Sequence, residues 1–95
     1  MQDGIDNDTD NEWKKSDADL NRVYQEFLKK LKPEQAALLK KAQRAWLTYR
    51  DAQCEADDKM SAGGTAAPLA LTQCRVTLTQ EHTKTLKDTY LNSNP

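Results

Sequence analysis

The sequence predicts an all-α fold, three helices in an antiparallel arrangement with one disulfide linking helices two and three. Three observations carry this. Apolar residues recur at helical spacing in three separate runs. Pro33 divides the first run from the second, and a Gly63-Gly64 stretch ending at Pro68 divides the second from the third. Cys54 and Cys74 flank that second break.

At 95 residues and 10.8 kDa the chain is one domain. Charged residues are 31% and mean hydropathy is -0.94, so the core is thin and no deep cleft with a buried cofactor is expected. No apolar run approaches the ~18 residues of a membrane span. Residues 1–13 hold five acids and no base, while the ten remaining acids face all 14 Lys and Arg, leaving the body at +4. Residues 1–15 are read as an acidic tail, mobile until something binds it, ahead of a helical domain over 16–91 and a frayed end at 92–95.

In the first helix Leu20, Val23, Tyr24, Phe27, Leu28 and Leu31 form an apolar stripe. Ser16 or Asp17 is the expected cap, and Lys29, Lys30 and Lys32 suit the negative end of the helix dipole. Pro33 stops this helix and opens the next at its first turn. The second helix is expected from Pro33 to Lys59. Leu38, Ala42, Ala45, Trp46, Tyr49 and Ala56 form one stripe, and Leu47 and Cys54 a second, with Gln43 and Arg50 between. Two apolar directions predict a middle element that touches both neighbours. The third helix should run from Pro68 to about Tyr90, with Leu71, Cys74, Leu78, His82 and Leu86 in register.

One His and two isolated cysteines cannot assemble a four-ligand zinc site. The two sulfurs are either free and buried or joined. A bridge stabilises such a marginal domain by roughly 3 kcal/mol and implies an oxidising compartment, and it is the expected state. Nothing resembling a leader follows Met1-Gln2-Asp3, so the expectation is an exported chain whose leader has been removed.

No catalytic motif is present, and His82 sits among leucines as a core-edge residue, so no enzyme is predicted. Asp6, Asp8, Asp10 and Asp17 approximate the ligand spacing of a calcium loop, against which stands the reading of a solvated acidic tail; no metal is assigned. Lys29, Lys30, Lys32, Lys40, Lys41 and Arg44 cluster at the first turn. No aromatics interleave with them, so a solvated face is expected rather than nucleic-acid binding. Arg50 is expected to pair with Asp17 or Asp19, covering the core with its stem.

The runs Ala18-Asp19-Leu20-Asn21-x-x-Tyr24 and Ala42-Gln43-x-Ala45-Trp46-x-x-Tyr49-Arg50-Asp51-Ala52-x-Cys54, followed by Cys74 and Leu78-Thr79-x-x-x-Thr83-x-x-Leu86, resemble the LprI-type lysozyme-inhibitor domain family. The resemblance spans about residues 17–90. The family pattern has Arg where this chain has His82, and its members often carry further cysteines upstream. The resemblance implies a small exported bacterial protein, periplasmic or secreted, whose partner is a protein such as lysozyme. It assigns Asp19, Leu20, Asn21, Tyr24, Gln43, Trp46, Tyr49 and Arg50 to the structural motif. Occlusion of the lysozyme cleft would fall to Arg50, Lys59, Met60, Gly63 and Gly64. The rival expectation is a non-inhibitory structural or envelope-stress interaction module.

Overall fold

The computed structural model describes residues 2–61 and 68–92. They form three helices, α1 (Gln2–Lys29), α2 (Pro33–Ser61) and α3 (Pro68–Asn92). Cys54 and Cys74 are joined, with their Cα atoms 5.7 Å apart, so the bridge ties α2 to the first part of α3. The all-α fold and its disulfide are as the sequence predicts. The loop glycines Gly63 and Gly64, and the end of the chain beyond Asn92, lie outside the described residues.

The α1–α2 turn is built from local hydrogen bonds. Lys30 N–H donates to Phe27 O and Leu31 N–H to Leu28 O, which tightens the end of α1 into a final 3₁₀-like turn. Lys32 then occupies the cap position before Pro33 and has no side-chain acceptor to offer. Gln35 reaches back instead, its Oε1 accepting the Lys32 N–H at 3.0 Å, which is the return half of a capping box.

α1 begins well before the expected cap. Ser16 is buried within the helix, and its hydroxyl donates to Glu12 O at 2.7 Å. The physical reason is a face that continues upstream through small polar residues: Thr9, Trp13, Ser16, Leu20, Val23 and Phe27 alternate at spacings of four and three. Thr9 and Ser16 are buried and Trp13 is half-buried. The same helix carries the backbone through residues 6–17. The side chains of Asp6 and Asp8, on which the calcium-loop reading rests, lie outside the described residues.

The middle element is α3, not α2. α1 packs most extensively on α3, and α2 packs on α3 less extensively. Leu20 and Val23 of α1 meet Leu86 of α3 in the core, and Tyr24, Phe27, Leu39 and Trp46 close around them. α3 serves two neighbours by burying Val76, Thr79, Thr83 and Leu86, while Cys74 and His82 reach α2. The buried Thr83 hydroxyl is satisfied within its own helix, donating to Thr79 O at 2.8 Å.

The expected α2 stripe is largely on the outside. Leu38, Ala42, Ala45, Tyr49 and Ala56 are exposed, and only Trp46 of that set turns inward. The buried face of α2 is Gln43, Arg50 and Cys54, with Leu39, Trp46 and Leu47 half-buried beside them.

Candidate functional site

Arg50 occupies the junction of all three helices and is only 6% exposed. Its guanidinium carbon lies 4.8 Å from the ring centre of Trp13 and 5.5 Å from that of Trp46, so it sits against an indole from each of α1 and α2. Both distances are within cation–π range, where a desolvated pair contributes about 2 kcal/mol. Nε donates to Asp51 Oδ1 at 2.9 Å, and Nη1 makes a longer 3.4 Å contact to the buried Thr79 hydroxyl of α3. Arg75 Nε approaches the same Asp51 oxygen at 3.4 Å without hydrogen-bond alignment. Asp51 thus serves two arginines from the half-exposed edge of the cluster.

The expected partners of Arg50 are engaged elsewhere or exposed. Asp19 faces Arg22 one turn along α1 at 3.8 Å, and Asp17 is exposed. A carboxylate adjacent in sequence and an indole from the extended α1 take their place. Trp13 is a site residue that the apolar stripe did not reveal. The signal for it was its register with Leu20 and Phe27, visible once Thr9 and Ser16 are allowed on a buried face.

The aromatic chain continues through α3. His82 stacks on Trp46 with ring centres 4.0 Å apart and planes within 9°. Its Nε2 is 3.0 Å from Gln43 Oε1, which accepts when the ring carries its proton on Nε2. Burial lowers the His82 pKa from its ordinary value of 6.5, which keeps the ring neutral at neutral pH. A neutral, stacked and hydrogen-bonded imidazole fits a structural tie. Both cysteines are consumed in the bridge. Among the described residues no group of three or more His, Cys, Asp or Glu could hold a metal ion.

The remaining predicted residues fall into two sets. Leu20 is in the core and Tyr24 is half-buried at its edge, while Asn21 and Tyr49 are exposed. Lys59 and Met60 stand exposed at the C-terminal end of α2, Met60 at 74%. Arg50 is not brought to the surface with them.

Surface depressions flank α1 on two sides. One, of about 240 Å³, runs between α1 and α3 and is lined by Ser16, Asp19, Thr83, Lys84 and Lys87 among others. A shallower one, of about 420 Å³, lies beside the α1–α2 turn, where Tyr24, Leu28 and Ala36 are flanked by Lys29 and Lys40. All six cations expected at that turn are exposed. No helix among the described residues is long and apolar enough to cross a membrane.

The fold and this junction define a small disulfide-clamped helical domain whose most specific residues, Gln43, Trp46, Arg50 and Cys54, hold its helices together. The chain belongs to the family described as "Lysozyme inhibitor LprI", which it matches over residues 1–86. It is 33% identical over 92 residues to the uncharacterized protein R02472 of Rhizobium meliloti (strain 1021), an alignment covering 83% of this chain and 66% of that protein. It is 44% identical over 55 residues to the uncharacterized protein YecT of Escherichia coli (strain K12), covering 46% of this chain and 34% of that one. The chain therefore spans about two thirds and one third of these curated relatives. No solved structure matches it significantly.

Proposed function

We propose that this protein is an exported bacterial binding protein that inhibits lysozyme by occluding its cleft, acting by contact and not by catalysis. Membership of the inhibitor family carries the reading. The disulfide supports an oxidising compartment, periplasmic or secreted. Lysozyme works with two carboxyl groups in an open cleft, so a cation and an apolar side chain on a rigid mount are sufficient chemistry to block it. Lys59 and Met60 have that character, and they directly follow the α2 segment anchored by Cys54. A clamped segment loses less freedom on binding, which favours affinity. Gly63 and Gly64 follow in sequence, and their small size suits close approach to a cleft wall.

A cell-wall turbidity assay with oxidised protein, titrated against several lysozyme classes, tests this. Inhibition should saturate near stoichiometric protein. The Lys59→Ala/Met60→Ala variant should weaken it about tenfold while melting unchanged, as expected for removal of exposed contacts. Absence of inhibition in every class would overturn the reading. A second reading would then hold, that of a non-inhibitory envelope interaction module. The observation favouring it is the exposed Lys29 and Lys40 beside the depression at the first turn, a surface suited to an acidic protein or polymer.

A further inference from the structure

The outer face of α2 has a pattern that the monomer does not use. Leu38, Ala42, Ala45, Tyr49, Ala52 and Ala56 follow each other at spacings of four and three, the repeat of a coiled-coil seam. All six are exposed, Leu38 at 68% and Tyr49 at 53%. The stripe runs about 27 Å along the helix at 1.5 Å per residue. Ala36 and Ala37 lie off this line near the start of α2, but the other four alanines of the helix fall, together with a leucine and a tyrosine, on one seam pointing into water, which helix propensity alone does not explain.

We propose that this seam is a homodimer surface on which α2 of a second copy lies antiparallel across a two-fold axis. The choice of occupant rests on self-complementarity. In an antiparallel pair whose facing positions meet at the level of Leu47, Leu38 falls opposite Ala56 of the second copy, Ala45 opposite Tyr49, and Ala42 opposite Ala52. Each large side chain therefore meets a small one, and four alanines per helix allow close approach of the axes. The edge of the seam agrees. Lys41, Thr48 and Glu55 recur every seventh residue along one flank and are exposed. In the same antiparallel register Lys41 stands only about 3 Å along the axis from level with Glu55 of the second copy, within reach of two long side chains, twice by symmetry, with Thr48 beside the axis. A parallel pair would instead set Tyr49 on Tyr49, Lys41 level with Lys41, and Glu55 level with Glu55.

Sedimentation equilibrium of the oxidised full chain, from the low-micromolar to the sub-millimolar range, tests this. Reversible monomer–dimer association is expected. Ala45→Arg and Tyr49→Glu should each abolish it while helicity and melting of the dilute protein persist. If one variant misfolds, the other carries the test. Lys41→Glu and Glu55→Lys should each weaken the dimer about tenfold, because two favourable surface pairs become two repulsive ones. Mixing those two variants, or combining both changes in one chain, should restore association. A monomer throughout the range, or a dimer indifferent to Ala45→Arg and Tyr49→Glu, would overturn the proposal. So would a dimer that the charge exchange fails to restore.

Discussion

On the inner face of α2, Gln43, Trp46, Arg50 and Cys54 face the other helices, and two of these four are polar or charged. On the outer face of the same helix, Leu38, Ala42, Ala45, Tyr49 and Ala56 stand in solvent. Hydropathy alone does not tell which of the two faces is buried. What decides burial here is partnership. Arg50 has two indoles, a carboxylate and a hydroxyl waiting for it. Gln43 has His82, and Cys54 has Cys74. A polar group that is fully met inside can be buried at little net cost, and its partners fix one arrangement of helices where a featureless apolar face would permit several. The apolar residues outside have no such partner within the monomer.

The comparison breaks most readily at the bridge. Replacing both cysteines, Cys54→Ala/Cys74→Ala, should lower stability by about 3 kcal/mol and Tm by roughly 15 °C, measured by thermal denaturation against the oxidised parent. A smaller shift would mean that the inner contacts alone hold α2 on α3. Next comes the arginine. Arg50→Ala removes the charge, its stem and both cation–π contacts, and should destabilise by about 2–3 kcal/mol in urea titration. Arg50→Lys should recover only part of this, since an ammonium cannot span two rings and two acceptors as a planar guanidinium does.

The histidine sharpens the comparison through pH. Because burial lowers the His82 pKa, the unfolded chain takes up the proton more readily than the folded one. Its contribution is therefore complete above the ordinary value of 6.5 and declines as pH falls below it, levelling off once the folded ring is also protonated. Melting scans between neutral and mildly acidic pH should show this decline, and His82→Gln should flatten it. The smallest effect belongs to the outer face. Leu38→Ala, tested in dilute protein, should change stability by less than about 0.5 kcal/mol despite removing a leucine side chain. A loss as large as that of Arg50→Ala would erase the distinction between the two faces.

Much of the fold was legible because its signals are local. Helical period, Pro33, Pro68 and the cysteine pair specify the three helices and which two are joined. The α1 extension was hidden because Thr9 and Ser16 are polar by type yet small enough to pack, so a search for apolar residues loses the stripe where they begin. The family motif was legible as a run of residues, but not the task of each. Tyr49 and Arg50 are adjacent and both suit a core or an interface, and the helix sends one to solvent and the other to the junction.

The sequence by itself determined that this protein is all-helical and that one covalent tie was available between α2 and α3, because capping, proline geometry and period act within a few residues. Only the tertiary structure decided that α3 is the shared partner and that Arg50 is held by Trp13 and Asp51. It also decided which stripe of α2 faces inward. Those outcomes depend on groups far apart in the chain meeting at one point, and the cost of burying a charge or amide is offset only by the partners that arrive there.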